Sequence, residues 1–112
     1  MKKLLPIGSI VYLKEGSQKL MILNRGPQIE LEGKVQMFDY SACVYPIGLV
    51  TEQALYFNAE NIDKVLFEGF SDDEEIRFQE LYAEWLETEG MEIVKGKVEQ
   101  ALVDGADEKK DN

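Results

Sequence analysis

Histidine is absent from the 112-residue chain, and cysteine occurs once, at Cys43. The first absence removes an imidazole base, any Ser-His-Asp or Cys-His arrangement, and any His-bearing zinc site. The second removes an internal disulfide, and with it a disulfide-stapled scaffold. No apolar run approaches the ~20 residues needed to span a bilayer. The opening MKKLLPIGSI pairs lysines with apolar residues, but Pro6, Gly8 and Ser9 interrupt the run, and Lys14 and Glu15 close it. A secretory signal needs an unbroken apolar segment of about 7–15 residues and a small-residue cleavage site. The expected setting is therefore the cytoplasm, without membrane insertion. Basic side chains are also scarce. Against 22 acids stand 12 bases, for a net charge of −10 that repels phosphate backbones and argues against nucleic-acid binding.

What is present suffices for one folded domain. Hydrophobic residues make up 45% of the chain, with five Phe, five Tyr and one Trp, so a core can form. The acids are unevenly placed. Residues 1–70 carry eight acids and seven bases, whereas residues 71–112 carry fourteen acids and five bases. A nearly neutral first part thus precedes a strongly acidic second part.

The first part reads as β-structure. Ile7 to Lys14 is rich in β-branched and aromatic residues, Glu15-Gly16-Ser17 forms a turn, and Lys19 to Leu23 follows as a second apolar run. Two such runs around a short glycine-bearing loop predict an antiparallel hairpin. Val35 to Tyr45 reads as one alternating strand closed by Pro46 and Gly48, and residues 28–34 as an edge strand or loop. Ala54 to Asn58 and Lys64 to Phe67 are two short strands flanking a helical turn capped by Asn58. The expected architecture is α+β, with a small curved antiparallel sheet or partly open barrel of four to six strands.

The second part starts with a helix. Ser71-Asp72-Asp73-Glu74 fits a capping box with Ser71 as N-cap, and its acids suit the positive end of a helix dipole. The same acids lack calcium-loop spacing, so no metal site is expected. At about 100° per residue, Phe78, Leu81, Tyr82, Trp85 and Leu86 share one arc, opposite Arg77, Glu80, Glu84 and Glu87. The apolar arc is expected to close the sheet, and Gly90 to end the helix. Val94, Val98, Ala101 and Leu102 then suggest a weak C-terminal helix or strand, interrupted by Gly96. The domain is expected over residues 1–103, with 104–112 a disordered polar tail.

Catalytic chemistry has little to work with. Glu80 and Glu84 are a carboxylate pair, but nothing in the sequence marks a pocket around them. Cys43 lies among Tyr40, Ala42, Val44 and Tyr45 with no histidine to activate it, and reads as a small buried hydrophobe. No glycine-rich phosphate loop is present, and no cofactor is expected. The reading is a non-enzymatic protein. Tyr45, Tyr56 and Phe70 are candidate aromatic anchors for a partner, and Glu80, Glu84 and Glu87 a candidate acidic surface.

Three blocks carry a family resemblance: LPIGSIVYLKEGSQKLMI from Leu5, FDYSACVYPIGL from Phe38, and YFNAENIDKVLFEGF from Tyr56. Together, over about residues 4–70, they resemble the domain of unknown function 4176 family, whose pattern has glycine where this chain has Ala42. The resemblance implies a context: small proteins of Gram-positive bacteria encoded in type VII secretion loci beside LXG-type toxins. It supplies no catalytic residues. It implies an accessory, chaperone or targeting adaptor that binds an LXG toxin or its helical partner. The alternative is an immunity protein whose acidic half blocks a basic toxin site.

Overall fold

Side-chain alternation builds one large sheet. β1 (Ile10–Leu13) lies antiparallel to β2 (Leu20–Arg25), which pairs in turn with β5 (Tyr40–Val44). β6 (Leu55–Phe57) extends the β5 edge and β7 (Ile62–Phe67) the β1 edge, giving the order β6-β5-β2-β1-β7. The sheet does not close into a barrel, because β6 and β7 are its two ends. The computed structural model describes residues 3–50 and 54–97. Val98, Ala101, Leu102, the C-terminal limit of the domain at 103 and the 104–112 tail all lie outside the described residues.

Cross-strand register puts the core on one face. Val11 faces Leu20, Leu20 faces Val44, Ile22 faces Ala42, Ala42 faces Leu55, and Tyr40 faces Phe57. Val11, Ile22, Ala42 and Phe57 are fully buried, and Leu4 folds back onto them from the N-terminal segment. Each fully buried Val, Ile or Phe side chain among them contributes roughly 1.5–3 kcal/mol. The same alternation sends Ile10, Met21 and Cys43 to the other face, where Cys43 is buried as a small apolar side chain.

The strand expected over Val35 to Tyr45 is broken. β3 (Gln28–Leu31) and β4 (Lys34–Met37) pair in a second sheet, so the β2–β5 ribbon bends between Arg25 and Gln28 and again at Phe38-Asp39. Bonds from Gly26 N–H to the Asp39 carbonyl (2.9 Å) and from Phe38 N–H to the Pro27 carbonyl (3.0 Å) hold the bend. The weak element after Gly90 is a two-residue strand, β8 (Val94–Lys95), parallel to β4. Gly96 follows because a Cβ there would lie 2.3 Å from the Phe38 ring.

The helix, α1 (Asp73–Thr88), is capped by Asp72, whose side chain accepts from the Glu75 N–H, so the cap sits one residue past Ser71. It stops before Gly90, which opens a 3-10 turn over Gly90–Glu92. Its inward face differs from the hydropathy arc. Ala83 is buried and Glu75, Gln79, Tyr82, Trp85 and Leu86 are partly buried, whereas Phe78 and Leu81 of the expected arc are 37% and 46% exposed. At 100° per residue the buried arc is turned roughly 60° from the one expected. Polar pairing is the cause, because Glu75 and Gln79 make inward hydrogen bonds that hydropathy counts against them.

Candidate functional site

Three contacts fasten α1 to the sheet. Arg25, at the end of β2, donates from both terminal nitrogens to the Glu75 carboxylate (2.7 Å each) and from Nη1 to the Leu5 carbonyl (3.1 Å). Its guanidinium also lies 4.5 Å from the Phe78 ring centroid. The side chains of Arg25 and Glu75 are only 5% and 12% exposed, so water screens the pair weakly. The Arg25 hydrogen bonds hold the Glu75 carboxyl below its usual range, outweighing the upward push of burial. Gln79 accepts from Leu4 N–H (3.1 Å), donates to the Leu4 carbonyl (3.0 Å) and donates to Glu75 (2.8 Å). Tyr82 packs over Gly26, which has φ +68°, and a Cβ on Gly26 would lie 2.6 Å from the Tyr82 hydroxyl.

Asn58 organises the opposite wall. Its Oδ1 accepts from the Asp39 N–H and its Nδ2 donates to the Gly96 carbonyl, both at 2.9 Å, while its own N–H donates to Asn61 Oδ1. Asp39 in turn accepts from Ala59 N–H at 2.8 Å. The buried amide thereby ties the bend, the 3-10 turn over Ala59–Asn61 and the β8 exit into one unit. Burial also raises the Tyr40 phenol above its ordinary value, and Tyr40 accepts the Leu5 N–H (2.9 Å).

Between these walls runs a groove of about 680 Å³. Leu4, Ile76, Tyr82, Ala83 and Leu86 give it an apolar lining, and Lys3, Asp39, Glu80 and Lys95 also line it. Ile76 is 54% exposed, so the wall is open to solvent. A groove of this lining suits the apolar side chains of a peptide or helix, with charged groups setting orientation. On the far face of the large sheet, Ile10, Met21, Tyr45, Leu66 and Phe67 line a shallower recess of about 410 Å³ beside Lys19.

The six sequence-predicted site residues do not converge. Only Glu80 lines the groove, where it accepts from Arg77 at 3.1 Å, so a pocket does adjoin it. Glu84 and Glu87 are exposed on the outer side of α1. Tyr45 lines the far recess, Phe70 is 80% exposed ahead of α1, and Tyr56 is half-buried with its ring 5.8 Å from Phe38. Sequence reasoning missed Leu4, Ile76 and Ala83. The available signal was an apolar pair, Ile76 and Ala83, two turns apart on the flank otherwise read as charged. Among the described residues no three His, Cys, Asp or Glu side chains gather as a metal site. Among them also, no helix is long and apolar enough to cross a membrane.

No curated protein and no solved structure matches the chain. A family model described as Domain of unknown function (DUF4176) matches residues 4–78, a span that takes in the large sheet, the bend and the first turn of α1 with Glu75. With more than half its length inside that match, the chain belongs to the DUF4176 family.

Proposed function

We propose that this chain is a non-enzymatic binding protein whose α1 groove holds an apolar helical segment of a protein partner. In this reading it acts in the cytoplasm as a chaperone or targeting adaptor for an LXG-type toxin, or for the toxin's helical partner, ahead of type VII secretion. The groove carries the reading: its apolar walls are solvent-open and held in place by buried polar ties, a form that receives side chains without rearranging. The secretion context is what the family resemblance implies, and it is part of this proposal. Co-expression with the adjacent toxin tests it. The wild-type chain should co-purify with the toxin, and Ile76→Asp, at an exposed position, should weaken the complex at least tenfold while leaving the fold intact. Equal binding by both, or normal toxin export without this protein, overturns the reading.

The charge distribution favours one rival. Residues 71–112 hold fourteen acids against five bases, and Glu84 and Glu87 stand exposed, a surface able to cover a basic toxin site. An immunity protein must rescue cells that express the isolated toxin domain. A chaperone that binds another region gives no rescue.

A further inference from the structure

We propose that the segment held in the α1 groove is an amphipathic helix whose apolar stripe is bordered by lysine or arginine on the side that lies against α1. This rests on the groove being the partner site, and names the chemistry that the site selects. The rotation of residues around α1 supplies it. At about 100° per residue, Ala83 lies about 20° to one side of Ile76, toward the partly buried Gln79 and Leu86, and all four line the groove. To the other side come Glu87, Glu80, Asp73 and Glu84, at about 20°, 40°, 60° and 80°. All four acids are exposed. The α1 lip is therefore an acidic stripe that begins where the apolar wall ends. From Asp73 to Glu87 it runs about 21 Å, or about four turns.

Only part of this charge is answered within the chain. Glu80 accepts from Arg77 (3.1 Å), whereas Glu84 and Glu87 form no ion pair among the described residues. The other charged groups of the lining add no free acid. Asp39 accepts from the Ala59 N–H (2.8 Å), Lys95 pairs with Glu60 (3.1 Å), and Lys3 is a cation. An occupant thus meets apolar side chains in the centre and negative charge along α1. An acidic segment would be repelled there, and an uncharged one would cover carboxylates without pairing them, which costs free energy. Basic residues three, four and seven positions apart along one side of a helix match the intervals between Glu87, Glu84, Glu80 and Asp73.

The test uses the full-length chain and two fluorescein-labelled helical peptides of about 18 residues, long enough to hold a helix. Both carry one leucine–alanine stripe, bordered by lysine in one and by glutamate in the other. In about 0.1 M salt the lysine peptide should bind about tenfold more tightly by fluorescence anisotropy. Raising salt to about 1 M shortens the screening length from about 10 Å to about 3 Å and should erase the preference. Glu84→Lys with Glu87→Lys should weaken the lysine peptide about tenfold, and lysine near the end of α1 suits the helix dipole, so the fold is kept. Glu15→Lys with Glu30→Lys changes the net charge equally at exposed positions that do not line the groove, and should shift binding by less than about twofold. Equal affinity for the two peptides, no binding of the lysine peptide, or an equal loss in the control variant overturns the proposal. Where both peptides bind equally and Ile76→Asp releases both, the groove stands as the partner site and its charge selectivity fails. Where Ile76→Asp releases neither, the groove reading falls as well.

Discussion

Replacing Arg25 with alanine should loosen α1 from the sheet. The substitution removes two 2.7 Å bonds to Glu75, the 3.1 Å bond to the Leu5 carbonyl and the contact with Phe78. It also leaves the Glu75 carboxylate, 12% exposed, with Gln79 as its remaining hydrogen-bond partner. Removing one partner of a buried ion pair costs about 3–5 kcal/mol. Because Glu75 keeps one polar neighbour and some water, the low end applies, about 3 kcal/mol. With a urea m-value of about 2 kcal/mol/M, the unfolding midpoint should fall by roughly 1.5 M. Arg77→Ala is the control, since the Arg77–Glu80 pair is 64% and 56% exposed. Exposed pairs of that kind contribute at most about 1 kcal/mol. Urea titrations followed by Trp85 fluorescence would measure both, and a double-mutant cycle with Glu75→Gln would isolate the coupling. If Arg25→Ala shifts the midpoint no more than Arg77→Ala, the reasoning about the buried clamp is refuted.

Acid titration probes the same pair by a different route. Glu75 has a lowered folded pKa, so its contribution is fully present above the unfolded value near 4.5 and is lost as pH falls through the folded value. Glu75→Gln should flatten the stability profile in that window, and an unchanged profile would contradict the assignment. At the alkaline end, burial raises Tyr40, so stability should be full below 10.0 and decline as pH rises from there through its folded value; absorbance of tyrosinate during unfolding would follow it. Asn58→Ala should cost about 2–4 kcal/mol in thermal or urea unfolding, because it strands the Asp39 N–H and the Gly96 carbonyl in a buried site. Gly96→Ala should cost about 1–3 kcal/mol, since the Phe38 ring is 1% exposed and has nowhere to retreat. A wild-type midpoint for either variant would show that the β8 exit is not held as described.

Local patterns explain which elements were legible. The hairpin around Gly16, the capped turn at Asn58 and the helix start near Asp72 follow from short-range chemistry, namely turn residues, side-chain caps and the helix dipole. The break in Val35–Tyr45 was not legible. Its alternation continues across Phe38-Asp39, and the bend is set by bonds to Gly26 and Pro27, more than ten residues away. The helix face was misplaced for a related reason. Hydropathy placed Phe78 and Leu81 inside, but Glu75 and Gln79 find buried partners in Arg25 and Leu4 that no spacing rule connects to them. Arg25, which no local pattern marks, is the chief tie between helix and sheet.

The groove illustrates the same division. Periodicity could mark Ile76 and Ala83 as apolar positions on α1, but Leu4 joins them in the groove through its hydrogen bonds to Gln79, 75 residues distant along the chain. By itself the sequence determined the α+β class, the absence of histidine chemistry and the acidic second part, because composition and local pattern suffice for each, and its three blocks carried the family resemblance. Only the tertiary structure decided which helix face turns inward, where the ribbon bends and where the groove lies, because each depends on hydrogen bonds between residues far apart in the chain.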